Sequence, residues 1–300
     1  MSRFNTFRIS IEEYYRVHKR DLPWRKEVPV PYEVWLSEII LQQTRVAQGI
    51  PYFHKILQAF PSIESLALAD EDKLLALWTG LGYYNRARNL QKGAKQILTD
   101  FNGQMPEQYD ELLKIKGIGP YTAAAIASIC FEEKIGVVDG NVYRVLSRYF
   151  GISTPTNSTS GQKEFQTLAN ECIQGTKHPG MYNQGIMEFG ALHCTPKNPN
   201  CMYCPLSNSC HAYNSGAVTE LPVKLKKGKR TKETLHFGVV QTRNKVALRK
   251  RGTDSIWAGL YEFPQLEGAP QQGQLLAEPL LHKLSHKDLY CSFWEVAEAE

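Results

Sequence analysis

Apolar residues return every three or four positions through most of the chain, which is the period of a helix. In PYEVWLSEIILQQTRVAQGIPYFHKIL they stand at Val34, Ile39, Ile40, Val46, Ile50 and Phe53, so this segment is predicted to be helical, with Pro51 ending one helix and starting the next. The stretch PSIESLALADEDKLLALWTGLGYYNRARNLQKGAKQIL predicts several short helices, punctuated at Asp70 and at Gly80-Leu81-Gly82. VDGNVYRVLSRYF reads as a turn that opens an amphipathic helix. No sustained apolar–polar alternation, the mark of a strand, occurs before residue 230. Beyond it, TLHFGVVQTRNKVALRKR alternates on both sides of Arg243-Asn244 and predicts a β-hairpin; SIWAGLYEFPQL and LYCSFWEV are also strand-like. The pattern therefore predicts a mainly α protein to about residue 212, followed by a small β-containing module.

Between the two parts, VKLKKGKRTK carries six basic residues and no acid, the composition of an exposed linker. A length of 300 residues with 42% hydrophobic content suits a globular protein of one to three domains. No segment approaches the ~20 apolar residues of a bilayer span, and TAAAIASICF is too short. The opening MSRFNTFRIS has no apolar signal core, so a cytoplasmic protein is expected. A net charge of +5 permits a polyanionic partner without requiring one.

Four of the seven cysteines, Cys194, Cys201, Cys204 and Cys210, fall within 17 residues with the spacing C-x6-C-x2-C-x5-C. In a chain without an export signal this points to a metal or cluster site, not to disulfides. Four thiolates this close suit tetrahedral zinc or a cubane iron–sulfur cluster. Zinc ribbons usually carry two C-x2-C knuckles, and only Cys201 and Cys204 form one here, which favours a cluster. Cys130, Cys172 and Cys291 read as small buried hydrophobes.

In LLKIKGIGPYTAAAIASI, Gly117 and Gly119 allow a tight turn immediately before a helix whose unpaired N–H groups face outward, an arrangement suited to a phosphate oxygen or simply to a helix–helix turn. Pro120 fits the first helical turn. Leu112, Leu113 and Ile115 are expected to pack on Ala124, Ala125 and Ile129. Glu38 stands in the apolar run WLSEIILQQT, either half-exposed or buried for a purpose. Asp139 precedes Gly140 and either caps the following helix or works with Glu38 as a carboxyl pair of the kind that cleaves glycosidic bonds. Trp24, Tyr83 and Tyr84 read singly as core; beside Arg20, Arg25, Arg86 and Arg88 they also suit base stacking and phosphate pairing.

With these residues in hand, the chain resembles the adenine DNA glycosylases of the A/G-mismatch type, in the endonuclease III superfamily. The matching stretches are RDLPWR, WLSEIILQQTRVAQGIPYF, LWTGLGYYNRARNL, KGIGPYTAAAI, VVDGNVYRVLSR, NQGIMEFGALHC, the four-cysteine loop and IWAGLYEFP, from about residue 14 to 291. The resemblance implies a helix-hairpin-helix glycosylase fold with one 4Fe-4S cluster on the four cysteines, plus a small α+β Nudix-like module. It implies residues 1–24 and 136–212 in a cluster-bearing domain, 25–135 in a six-helix domain with the hairpin, 213–232 as linker, and 233–300 as a partial module that reads 8-oxoguanine. That module ends at Glu300 and lacks the R-E-x-x-E-E pyrophosphatase helix, so a damage reader is expected, not a second hydrolase.

The implied substrate is duplex DNA with adenine opposite 8-oxoguanine or guanine, acted on by a monomer away from membranes. Glu38 matches the general acid, Asp139 the group that stabilises the sugar cation, and Tyr121 and Asn141 organise the same face. Trp24, Arg25 and Glu188 resemble the wall of the adenine pocket. Gln43 and Thr44 are expected in the gap left by the flipped base, with Leu81 and Tyr83 wedged near the opposite base and Gly117 and Gly119 on the DNA backbone. Ser285 and His286 stand where the family reads 8-oxoguanine, with Leu284 in place of phenylalanine. In strand-cleaving relatives a lysine occupies the position of Tyr121; a phenol forms no imine, so base removal without strand cleavage is expected. An endonuclease III-like pyrimidine glycosylase and lyase, and a non-catalytic iron–sulfur DNA-binding protein, are the competing readings.

Overall fold

The computed structural model describes residues 3–226, 230–252, 257–284 and 287–296. The chain forms two compact units, Met1–Leu225 and Lys226–Glu300. The helices of the first unit are α1 (Arg3–His18), α2 (Pro31–Leu41), α3 (Val46–Ala59), α4 (Ile63–Ala67), α5 (Glu71–Trp78), α6 (Asn85–Asp100), α7 (Tyr109–Leu112), α8 (Pro120–Phe131), α9 (Gly140–Phe150), α10 (Thr159–Ile173), α11 (Pro179–Leu192) and α12 (His211–Asn214).

Two of them are apolar on every side and lie inside, as such helices must. All residues from Tyr32 to Ile40 of α2 are buried, as are all from Thr122 to Ser128 of α8, and the two helices pack on each other. α8 lies between two cores, and α2 belongs to the first. Trp35, Phe53, Ile56, Trp78 and Leu90 fill the first, with Ala123, Ile126 and Ala127 from one face of α8. Phe7, Ile11, Val145, Phe165 and Phe189 fill the second, closed by Ala124 and Ala125 from the opposite face.

The structure corrects two expectations here. Pro51 lies inside α3, and the helix break falls earlier, between Gln42 and Arg45. A proline near the start of a helix forfeits one hydrogen bond, and burying Phe53 and Ile56 outweighs it. The hairpin also packs differently. Leu112, Ile115 and Ile118 enter the first core, while Leu113 faces solvent and Ala124 and Ala125 face the second core, because α8 is shared between the two. Asp70 caps α5 as the sequence suggests, accepting from the Lys73 N–H at 2.8 Å. Residues 213–225 belong to the first unit: Leu221 is buried, and its carbonyl accepts from Arg148 Nε at 3.1 Å.

The second unit is built on strands: β1 (Thr231–Val239), β2 (Gln241–Thr242), β3 (Lys245–Val246), β4 (Arg249–Lys250), β5 (Tyr261–Glu262), β6 (Gln265–Leu266), β7 (Gln274–Leu275), β8 (Leu280–Lys283) and β9 (Lys287–Glu295). The main sheet runs β6-β1-β9-β7, with β8 also on β9. β1 and β9 pair in parallel, Leu235 opposite Cys291 and Phe237 opposite Phe293, and these side chains begin its small core. The expected hairpin is present, with β2 and β3 flanking Arg243-Asn244. No helix among the described residues is long and apolar enough to cross a membrane.

Candidate active site

A cavity of about 930 Å³ opens in the first unit between α2, α8, α9 and α11. Its lining brings together Trp24, Arg25, Glu38, Gln43, Thr44, Tyr121, Asp139, Asn141 and Glu188, residues from five separate stretches of chain. That volume accommodates a nucleobase and its sugar.

Glu38 reaches this cavity from the last turns of α2. Because the helix is buried from Tyr32 to Ile40, the carboxyl has little water to solvate its charge, and it is itself only 8% exposed. Burial pushes its pKa from the usual 4.5 up to about 7; the negative charge of Asp139 adds to the rise, while a hydrogen bond with Tyr121 and the charge of Arg25 oppose it. Tyr121 follows Pro120 in the first turn of α8, and its hydroxyl donates to Met187 Sδ at 3.2 Å. Its own pKa is raised well above the usual tyrosine value, first by burial and then by Glu38 and Asp139, so it stays a phenol.

Asp139 is the N-cap of α9. One carboxylate oxygen accepts from the Asn141 and Val142 N–H groups at 2.9 and 2.7 Å, and the other from Asn141 Nδ2 at 2.8 Å. Capping and cavity lining are thus both true of this residue. Burial raises its pKa, but the Val142 and Asn141 donors and the charge of Arg144 hold the rise back by favouring the ionised form. Arg144, buried on the same helix, donates to Asn141 Oδ1 (2.9 Å), to the Gly190 carbonyl (2.6 Å) and to the Cys194 carbonyl (2.7 Å). The close approach depends on Gly190, where a Cβ would stand 2.7 Å from that of Asn141. Asn183, fully buried on α11, fixes the segment leading to Asp139 by bonding the Val137 N–H and the Ile135 carbonyl.

The far wall is a latch. Burial would raise the pKa of Glu188, but hydrogen bonds from Arg20 and Arg25 prevail and bring it down to about 2. Arg20 contributes its backbone N–H, Nε and Nη2, and Arg25 both terminal nitrogens, at 2.7–3.2 Å. These bonds tie α11 to the segment before α2 and set the buried Trp24 into the cavity wall. Arg20 and Arg25 are therefore engaged with protein. So is Arg86, whose guanidinium donates to the carbonyls of Ile39, Ile40, Gln42, Leu81 and Gly82 and closes the end of α2. Arg88 pairs with Glu71 at 3.0 Å.

Gln43, exposed and at φ 57°, projects at the cavity's edge just after α2 ends, with Thr44 beside it. Leu81 and Tyr83 do not line the cavity: Leu81 is buried in the first core, and Tyr83 is 56% exposed in the turn before α6. In the hairpin, Gly117 sits at φ 86° with Asn89 only 2.8 Å from where a Cβ would be, so glycine is required by the fold. Gly119 has nothing within 4 Å of that point. Ser285 and His286 lie outside the described residues.

The four clustered cysteines line a separate, nearly apolar cavity of about 30 Å³, together with Val145, Arg148, Tyr149, Phe189, His193 and Leu206. Burial pushes Cys204 up to about 12; the Leu206 N–H opposes this, and the other three cysteines add to it. Cys201, Cys204 and Cys210, each pushed up by burial and then by neighbouring cysteine sulfurs, become thiolates only around strong positive charge, and in this respect the donor set fits a metal centre. Arg148 holds the loop from behind through the Thr195 and Pro196 carbonyls (2.7 and 3.2 Å) and approaches Cys194 Sγ at 3.5 Å. No three His, Cys, Asp or Glu side chains among the described residues converge as a site for a single metal ion.

Arg144, Asn183 and Met187 carry much of this geometry, and none stands out in the sequence. Arg144 and Arg148 leave one trace: two arginines four apart in VYRVLSR, on a helix most of whose other residues are buried.

Residues 36–171 match the HhH-GPD superfamily base excision DNA repair protein family. The chain is 39% identical over 258 residues to the adenine DNA glycosylase of Buchnera aphidicola subsp. Schizaphis graminum, covering 86% of this chain and 74% of that one. It is 36% identical over 293 residues to that of Buchnera aphidicola subsp. Baizongia pistaciae, covering 92% and 82%. Among solved structures it is similar to a thermostable thymine-DNA glycosylase, with a TM-score of 0.65, 29% identity, and coverage of 71% of this chain and 97% of that one.

Proposed function

The chain belongs to the adenine DNA glycosylases, within the HhH-GPD superfamily of base excision DNA repair proteins, and from that premise we propose that its cavity hydrolyses the N-glycosidic bond of an adenine turned out of duplex DNA opposite 8-oxoguanine or guanine. The observation that carries the reading is the pair of unlike carboxyls on one cavity: Glu38 dry and protonated to about pH 7, Asp139 held by three hydrogen bonds that favour its anion.

Adenine is a poor leaving group as an anion. Glu38 supplies a proton to the base, which then departs neutral. The sugar left behind carries oxocarbenium character, and the Asp139 carboxylate stabilises it from the other wall until water adds. Asn141 keeps Asp139 in place, and Tyr121 stands beside both carboxyls on the same cavity. Trp24 and the Glu188 latch form the wall against which the base rests, and Gln43 and Thr44 enter the gap it leaves. The open space over Gly119, at the start of α8, suits a DNA phosphate against unpaired N–H groups. Exposed Tyr83, with Leu81 buried just before it in the chain, is proposed to wedge near the opposite base; Ser285 and His286 are proposed to read 8-oxoguanine.

Cys194, Cys201, Cys204 and Cys210 are proposed to hold one 4Fe-4S cluster. Their shared apolar pocket and their C-x6-C-x2-C-x5-C spacing support that reading. When bound, the cluster supplies the positive charge that keeps four thiolates together and so folds the loop that presents Lys197.

Tyr121 offers no amine, so the base is removed and the strand is left intact. A single-turnover assay on a duplex with one adenine opposite 8-oxoguanine, read with and without hot alkali, tests this. Breaks only after alkali are expected; efficient breaks without alkali, or an adduct trapped by borohydride, would place the chain with the lyases.

A further inference from the structure

The Tyr121 hydroxyl has one proton and two neighbours that accept it. It donates to Met187 Sδ at 3.2 Å, and the Glu38 carboxyl, which lines the same cavity, shares a hydrogen bond with that oxygen. The direction of that bond matters. A phenol donating to Glu38 favours the carboxylate, whereas a phenol donating elsewhere keeps its lone pairs free to accept from a neutral carboxyl. Met187 is well placed to divert the proton, because it sits on α11 next to Glu188, whose bonds to Arg20 and Arg25 hold that turn of helix still. The sulfur is therefore presented by a rigid element and lines the same cavity.

The other groups facing Glu38 do not change with that bond. Asp139, from the start of α9, keeps its own three donors. Arg25, from the segment before α2, is held by Glu188. Cys130, on α8, is pushed up to about 12 by burial and then by Glu38, and stays a thiol.

We propose that Met187 is a positioning residue: its sulfur takes the Tyr121 hydroxyl proton and so leaves Glu38 able to keep its own. This rests on the acid role given to Glu38 above. Met187→Leu conserves volume and removes the acceptor, so Tyr121 then has only Glu38 to donate to.

The test is the protonation midpoint of Glu38, read from the carboxyl stretch in infrared difference spectra between each protein and its Glu38→Gln counterpart. In Met187→Leu the midpoint is expected to fall by about half to one pH unit, the worth of one modest hydrogen bond. In a Tyr121→Phe background, Met187→Leu is expected to leave it unchanged. Equal midpoints in the wild type and Met187→Leu, or a shift that persists without the Tyr121 hydroxyl, would overturn the proposal. The spectra need no turnover, so adenine release measured in parallel separates the two ideas. A shifted midpoint in a protein that releases no adenine removes the acid role and upholds the Met187 bond.

Discussion

The cavity has two walls, each presenting one carboxyl, and they treat it in opposite ways. On the α2–α8 wall, Glu38 is one of nine consecutive buried residues of its helix and lies beside a phenol, and burial decides its state. On the α9–α11 wall, Asp139 sits at a helix N-terminus with two backbone N–H groups, the Asn141 amide and Arg144 behind it, and donors oppose burial. The difference teaches how one kind of side chain is left dry on one side and given donors that favour its anion on the other. A helix that is apolar all round removes water; a helix that begins at the site supplies hydrogen bonds.

Removing the dry carboxyl should break the contrast most severely. Glu38→Gln is expected to lower single-turnover adenine excision roughly 10²- to 10⁴-fold, the usual worth of a general acid. It should also stabilise the protein in a pH-dependent way. The native carboxyl keeps its proton to about pH 7 while an unfolded one loses it near 4.5, so native stability is lost as pH rises through that window. Above pH 7 the penalty reaches about 3 kcal/mol, which the glutamine avoids. Denaturant melts should show a gain at pH 8 and none at pH 4.

Asp139→Asn attacks the opposite wall and is expected to cost about 10²- to 10³-fold in excision rate, as losing one preorganised electrostatic partner does. It keeps a capping side chain, so thermal melts should move little. A large fall in stability would mean that Asp139 matters chiefly as a cap.

Arg144→Lys probes the support behind that wall. An ammonium cannot span the carbonyls of Cys194 and Gly190 and the Asn141 amide oxygen together, so Asp139 loses its fixed orientation. A loss of up to about 10²-fold in rate is expected, with Glu38's infrared titration unchanged. The smallest effects separate the two hairpin glycines. Gly117→Ala should cost about 1–2 kcal/mol in a melt, because its φ of 86° is left-handed and Asn89 crowds the site. Gly119→Ala should leave the melt unchanged and weaken DNA binding in a filter assay, because its open space faces outward.

Much of the contrast was legible in the sequence for a physical reason. A lone glutamate in an apolar run, and an aspartate opening an amphipathic helix, announce their environments locally, and four cysteines in one loop do the same. The supports were not legible. Arg144, Asn183 and Met187 act through partners on other helices, and nothing within their own helices says which neighbour they meet. Pro51 misled because packing of Phe53 and Ile56 outweighs one missing hydrogen bond. The parallel pairing of β1 and β9 joins distant stretches, which local alternation cannot reveal.

The most direct test of the unlike pair is the pH dependence of single-turnover adenine excision opposite 8-oxoguanine. If Glu38 is the acid and Asp139 the anion, the rate should hold up to about pH 7 and then fall about tenfold per pH unit, with the residual rate of Glu38→Gln showing no such limb. A wild-type rate that stays flat or rises from pH 7 to pH 9 would contradict the account.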